Sequence, residues 1–534
     1  MQSKFLALMA SAAFVAAGPA MAAPGDAARI IDEGMNRSQV MMTASELMDG
    51  IGARLTNSPN MRRAEQWAIG KFQSYGLTDV HREGFDFGRG WEIVDSSVVM
   101  TAPRRIKLTA IPIAWSPPTV GALSAPVIVA PMNRKEQFVA YRGKLRGKIV
   151  MIDLPGTGDE PDKAAFRRLD SGEISKLDQF EQPKFDPDFV DSFTKRINFW
   201  NDVDQFLASE GAVAWVRKSY RDGKLISGEG YQNMIGKSPK LPAVEIASED
   251  YRRLARLAKT GRNPELEINS NVHYVDDDRQ GYNIIADLPG TDPKAGYVMA
   301  GGHFDSWAAG DGAADNGAGS VVVLEAARIL RQLGVRPKRT IRFVLWSGEE
   351  QGLFGSLSYI ERHIAVRPYR LTEDGTANYD KWEKSFPIAP LAGYSDLKAY
   401  FNLDNGSGKV RGIYAEGNTG ASSLLKEWLA PFDAMGADAI VAAPTDGTDQ
   451  QFFQTVGLPA YQFIQDPLDY GSRVHHSNID TLDHMKAEDL RQASVVMAGV
   501  LLAAANSEKE LPRQPLRTQP LPTDPFKYDY PEPK

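Results

Sequence analysis

Two adjacent acids, Glu349 and Glu350, follow an apolar run at 340–346 that reads as a buried strand. Neighbouring side chains leave the backbone in different directions. The pair can therefore divide its work, with Glu350 as a metal ligand and Glu349 as a base reaching a bound water. Acids also gather at helix N-termini through the macrodipole, but the flanking Gly348 and Gly352 and the strand before them favour chemistry. His303 follows a second apolar run, in Gly301-Gly302-His303-Phe304-Asp305-Ser306. Asp305 could accept a hydrogen bond from the imidazole nitrogen turned away from a metal, which fixes the tautomer and raises ligand basicity. Asp315 lies in a glycine-rich stretch at 312–319, ahead of a helical pattern. Alone it reads as an N-cap. Glycines also allow the close backbone approach that a carboxylate shared by two metals requires. Asp404 ends a run at 397–403 before Gly406 and Gly408, where a turn-forming Asp is the simpler reading. His475 and His476 are adjacent in a chain with only seven histidines, and Asp480-Thr481 can tie their loop down.

These donors are imidazoles and carboxylates with no thiolate, a set that suits zinc or a similar divalent ion. Two histidines and three acids are too many for one tetrahedral zinc. They suffice for two metals sharing a carboxylate, about 3.5–4 Å apart.

The elements that would position these groups alternate. Strand-like runs at 297–300, 340–346, 397–403 and 460–464 are separated by helical patterns at 320–333, 353–363 and 422–432, and a last helix runs over 493–505. Such alternation implies an α/β domain with a mostly parallel central sheet flanked by helices. Functional groups then gather beyond the carboxyl ends of the strands, where these motifs stand. Residues 28–75 are helical in pattern and 80–114 strand-like. Between about 116 and 276, short apolar runs separated by loops suggest an inserted β-rich domain, with the charged stretch 156–195 as a surface excursion. Seven prolines after Glu510 predict an extended tail.

The chain has 534 residues and a formal net charge of -7, so no basic footprint points to nucleic acid. Lys4, the apolar run 5–17 and Ala20-Met21-Ala22 fit a secretory signal cleaved after Ala22, and the run is too short to span a bilayer. No later segment is apolar enough to cross a membrane. The absence of cysteine excludes disulfides, which fits an exported protein of the periplasm or extracellular space without requiring either.

The stretches HFDSW, GAADNGAG, SGEE, NLDNGSG and HHSNIDT occur in this order over about 282–505. Together they resemble the family-28 zinc metallopeptidases, which include aminopeptidases and carboxypeptidase Q. The region 116–276, with GKIVMID and LPAVEIA, looks like the protease-associated domain of many members. The resemblance implies a zinc exopeptidase fold and two Zn2+ per chain. His303, Asp315 and Asp404 would hold one ion, and Asp315, Glu350 and His476 the other. His476 is favoured over His475 because the family's ligand precedes Ser or Thr. Glu349 would be the general base and Asp305 would orient His303. A peptide or dipeptide is the implied substrate, and a homodimer is a family-level expectation. The stretch Asp446-Gly447-Thr448-Asp449 departs from the Ser-Asp-His of the aminopeptidase branch and looks more like the carboxypeptidase Q branch, associated with dipeptide hydrolysis. The expected division is a signal peptide over 1–22, parts of the peptidase domain over 23–115 and 277–507, the insertion over 116–276, and a Pro-rich tail over 508–534. Trp307, Tyr470 and Arg473 are candidate pocket walls. Two other readings exist on the same scaffold. One is a one-zinc transferase of the glutaminyl-cyclase type. The other is a non-catalytic binding protein, like the transferrin-receptor relatives.

Overall fold

A computed structural model of the chain describes residues 24–159, 161, 163–180, 187–231, 239–368, 385–445 and 447–519. The expected signal segment 1–22, Asp446 and most of the Pro-rich tail lie outside the described residues.

Eight strands form the first sheet, in the order Thr78–Asp86, Gln280–Leu288, Thr340–Trp346, Tyr297–His303, Leu397–Asn402, Ala460–Gln465, Val410–Tyr414, Ala439–Val441. The four central strands, from Thr340–Trp346 to Ala460–Gln465, pair in parallel. The Thr78–Asp86 edge and the Val410–Tyr414 join are antiparallel. The sheet is therefore mixed: the expected parallel strands form its centre, and the outer pair Val410–Tyr414 and Ala439–Val441 is also parallel.

Alternate residues of each central strand feed two cores, as period-two geometry requires. Val298, Ala300, Phe343, Leu345 and Phe401 face the side covered by helices Ala318–Gln332 and Ala487–Asn506. Met299, Val344, Trp346 and Tyr400 face the side covered by Phe354–Tyr359 and Gln450–Thr455. Burial on both faces explains why these strands read as continuous apolar runs. The long C-terminal helix begins at Ala487, upstream of the expected 493. Among the described residues no helix is long and apolar enough to cross a membrane.

A second eight-stranded sheet is built from one continuous segment, Gly90 to Val275. The segment is inserted between Thr78–Asp86 and Gln280–Leu288, which are themselves antiparallel neighbours. An insertion at such a hairpin enters and leaves at the same place, so the host sheet stays intact. The second lobe starts at Gly90 rather than near 116, because Gly90–Ala102 pairs along its whole length with Glu265–Val275. It is also less purely β than expected. Its strands Leu123–Val129, Ile149–Met151, Ala214–Lys218 and Ala243–Ile246 pair in parallel. Parallel neighbours need crossovers, and the helix Pro187–Ser209 lies in one of them.

In the stretch 156–195, the described residues 163–180 make contacts with the first lobe. Arg168 pairs with the buried Asp466 at 2.9 Å and with Asp489 at 2.8 Å, and Leu169 N donates to Asp466 Oδ1. Charged residues here are spent on the other lobe, which a charge count alone reads as solvation.

Candidate metal centre

All the candidate groups stand at the carboxyl ends of the four parallel strands. His303 is the last residue of Tyr297–His303, and Asp315 lies in the turn Ala313–Gly317 leading into the helix. Glu349 and Glu350 follow Thr340–Trp346, and Asp404 follows Leu397–Asn402. His476 comes from the loop after Ala460–Gln465, with its backbone at a left-handed φ of 54°.

Asp315 divides its two oxygens. Oδ1 is 3.2 Å from His303 Nε2, which is also 3.2 Å from Asp404 Oδ1. Oδ2 is 3.2 Å from His476 Nε2, which is 3.0 Å from Glu350 Oε2. The five groups thus form two trios that share one carboxylate. Glu349 Oε2 stands 4.0 Å from His303 Nε2, outside both trios. His475 stacks on His476 at 3.7 Å between ring centroids and has its Nε2 3.7 Å from Asp315 Oδ2. Burial pushes His475 down to about 4, and the neighbouring His476 charge adds to this.

The residues fit divalent cations. Asp315 Oδ2, Glu350 Oε1 and Asp404 Oδ1 are buried and have no hydrogen-bond partner among the described residues, although imidazole nitrogens stand close to two of them. Among the described residues no Lys or Arg pairs with these acids. Burial raises Glu350 to about 7, and the Asp315 charge works in the same direction against His476. Burial also raises Glu349 well above the carboxylate range; the Asp404 and Glu350 charges add to this, and His303 opposes it. Burial would lower His303 and His476, but the acids around them hold both well above the usual imidazole value. So dense a group of buried acids around two imidazoles is what bound cations would neutralise.

Asp305 acts through different atoms from those expected. The backbone carbonyl of Asp305 accepts from His303 Nδ1 at 2.9 Å, while its carboxylate stays 3.8 Å from that nitrogen. The carboxylate is already engaged. It accepts from Thr56 Oγ1 at 2.9 Å and from the Glu349 and Glu350 amides at 3.3 Å each. Asp305 therefore orients His303 with its main chain and anchors the two-glutamate turn with its side chain.

Further groups position the site, and two of them, Arg54 and Glu229, lie outside the motifs. Asp480 accepts from the Ala314 and Asp315 amides at 2.6 and 3.0 Å, fixing the shared carboxylate's backbone. The fully buried Arg54 donates to the carbonyls of Phe304, Asp311 and Gly312, clamping the loop between His303 and Asp315. Glu229, from the second lobe, accepts from His476 Nδ1 at 2.9 Å. Asp449 is buried among the acids, and burial pushes it up to about 8. Of the suggested pocket walls, Trp307 lies 6.1 Å from the His476 ring and Tyr470 5.0 Å from the His475 ring, whereas Arg473 is exposed.

Gly319 joins the two halves of the first trio. A Cβ there would lie 2.2 Å from the Leu403 carbonyl and 2.5 Å from Asn316 Oδ1. Gly319→Ala must push the Asp315 turn away from the strand end that carries Asp404. We expect a loss of about 1–3 kcal/mol of stability, read as a lower melting temperature, together with weaker zinc uptake. An unchanged melting temperature would show that this contact relaxes freely.

The fold and the cluster together define a candidate divalent-metal site at the carboxyl edge of the parallel strands of a mixed α/β sheet. Residues 283–501 match the model of Peptidase family M28, and the domain that carries the cluster belongs to that family. Carboxypeptidase Q of Mus musculus is 28% identical over 472 residues, covering 88% of this chain and 86% of that protein. The Homo sapiens carboxypeptidase Q is 26% identical over 504 residues, covering 92% of each. Among solved structures, a Peptidase M28 precursor from Shewanella amazonensis SB2B superposes with a TM-score of 0.65 at 23% identity. It covers 94% of this chain and 99% of that one. BSAP, a zinc aminopeptidase from Bacillus subtilis, gives 0.56 at 20% identity, covering 88% and 95%.

Proposed function

We propose that the chain is an exported dinuclear zinc exopeptidase that hydrolyses short peptides or dipeptides. The observation that carries this reading is Asp315, whose two oxygens face separate trios at 3.2 Å each. Its relatives support the peptide substrate, since they cover most of both chains and are carboxypeptidase Q. His303, Asp315 and Asp404 would hold one zinc, and Asp315, Glu350 and His476 the other. Bound there, the ions would lower the pKa of a shared water and polarise the scissile carbonyl.

The chain's own groups do the rest. Glu349 belongs to neither trio, so its carboxylate is free to take the proton of the attacking water and return it to the departing amine. The Glu349 amide donates to Asp305, which holds this base against the site. Trp307, buried beside His476, helps exclude bulk water. The second lobe, whose segments GKIVMID and LPAVEIA lie in its parallel strands, is read as a protease-associated domain. Export rests on the signal segment 1–22. A homodimer is the expected assembly.

The test is metal analysis of the purified full-length protein, followed by chelation and an assay with free and end-blocked dipeptides. We expect two zinc ions per chain, loss of hydrolysis on chelation, recovery on adding zinc, and cleavage that fails when the substrate end is blocked. One tightly held zinc would favour the transferase reading. Full hydrolysis by metal-free protein would end the proposal.

A further inference from the structure

Every group in the two trios comes from the first lobe. The outer nitrogen of one imidazole does not face that lobe. His476 Nδ1 donates to Glu229 Oε1 at 2.9 Å, across 247 residues of sequence. Glu229 belongs to the loop between the strands Ala214–Lys218 and Ala243–Ile246 of the second lobe.

That loop is tied to its own sheet. Glu245, fully buried on the strand Ala243–Ile246, accepts from Ser227 N at 2.7 Å and from Arg217 Nη2 at 2.7 Å. Arg217 also donates to the Glu229 carbonyl at 2.9 Å, and Ser227 Oγ donates to Glu229 Oε1 at 2.7 Å. Arg217 and Glu245 are register partners on adjacent parallel strands. The carboxylate of Glu229 is thus fixed by the second sheet before it meets His476. The same lobe grips the histidine loop at two more points. Arg221 donates to the His475 carbonyl at 2.7 Å, and Ile226 N donates to Asn478 Oδ1 at 2.9 Å.

We propose that Glu229 is a positioning residue by which the second lobe completes one of the two metal positions. An imidazole carries one Nδ1 or Nε2 proton when neutral, and a carboxylate on Nδ1 places that proton there. Nε2 is then left with its lone pair toward Asp315 and Glu350. A carboxylate also raises the basicity of the ring more than a neutral acceptor does. His303 has a different arrangement, since its Nδ1 donates to a backbone carbonyl of its own lobe. The carboxylate of the second lobe therefore acts on the His476 position, while the His303 position takes its outer hydrogen bond from its own lobe.

The inference rests on the dinuclear reading, and the experiment separates the two. Metal-free full-length protein, Glu229→Gln and Glu229→Ala are titrated with zinc against a competing chelator by calorimetry. For the wild type we expect two binding steps. For Glu229→Ala we expect one step weakened roughly 10- to 100-fold and the other unchanged. Glu229→Gln, which keeps an acceptor without the charge, should fall between. The melting temperature of the metal-free proteins should stay the same, whereas a purely structural role would lower it. In zinc-loaded protein labelled with 15N-histidine, a downfield Nδ1 proton absent from His476→Asn should move upfield in Glu229→Gln. Two unaltered steps in both variants would overturn the inference and leave the dinuclear reading standing. Equal weakening of both steps with a lowered melting temperature would also overturn it. A wild type that takes up no zinc would remove both.

Discussion

Asp315→Asn is expected to abolish hydrolysis, lowering kcat/KM by about 10^4-fold or more, because the two trios have only this carboxylate in common. The amide keeps the shape of the side chain, so Asp480 can still accept from the Ala314 and Asp315 backbone amides. It loses the charge and one of the two acceptor oxygens. Whichever way the amide turns, an N–H replaces an oxygen on the side of His303 and Asp404 or on the side of His476 and Glu350. One metal position then faces a donor where it needs a ligand, and the other loses the negative charge. A second readout does not depend on turnover. A cation that binds only the native state stabilises it in proportion to its occupancy. Zinc should therefore raise the melting temperature of the wild type and not that of the variant. A variant that still holds two zinc ions, with its melting temperature still zinc-dependent, would falsify the bridging role.

The parts of this site that could be read in the sequence share one physical cause. A strand buried on both faces is mostly apolar, so residues 297–300 and 340–346 announce themselves, and polar groups just beyond them stand out. The order of those groups then indicates one crevice, because parallel strands deliver their carboxyl ends to the same edge of a sheet. Where the periodic signal was weak, the reading was poorer. Val410–Tyr414 and Ala439–Val441 are short strands at one end of the sheet with partly exposed residues, and nothing in their pattern distinguishes them from loop. Gly90–Ala102 reads as a strand, but its sheet is decided by a partner more than 160 residues away. The atoms used by Asp305 could not be read at all. The spacing places an acid two residues after His303. Only the fold shows that Thr56 and two amides occupy its carboxylate, leaving the main-chain carbonyl to the imidazole. Arg54 and Glu229 belong to the same class, since a lone charged residue far from any motif carries no local signal. A ligating histidine needs a partner on its outer nitrogen, but the nearby Asp480 could have been that partner, and only the fold shows it engaged with the Ala314 and Asp315 amides instead.

Glu349→Gln should separate chemistry from metal binding. Glu349 and Glu350 are consecutive, yet Glu350 Oε2 lies 3.0 Å from His476 Nε2 while Glu349 Oε2 lies 4.0 Å from His303 Nε2. The two side chains thus reach opposite trios from one turn, and only Glu350 stands at ligand distance. The amide variant keeps the turn, because the Glu349 backbone N–H that meets Asp305 is unchanged. It removes a carboxylate that stands beside the site without belonging to a ligand trio and can accept a proton from water. General-base catalysis accounts for roughly 10^2- to 10^4-fold of rate, and kcat should fall by that factor. KM should move little, since substrate meets the same metals and walls, and both zinc ions should remain. Glu350→Gln, one residue away, should instead lower the occupancy of the His476 position. The contrast between neighbours is the informative result. If Glu349→Gln lost metal and Glu350→Gln did not, the two roles would have to be exchanged. If Glu349→Gln kept full kcat with its zinc intact, the proton would have to go elsewhere, and Asp449, buried among the same acids, would be the next group to replace.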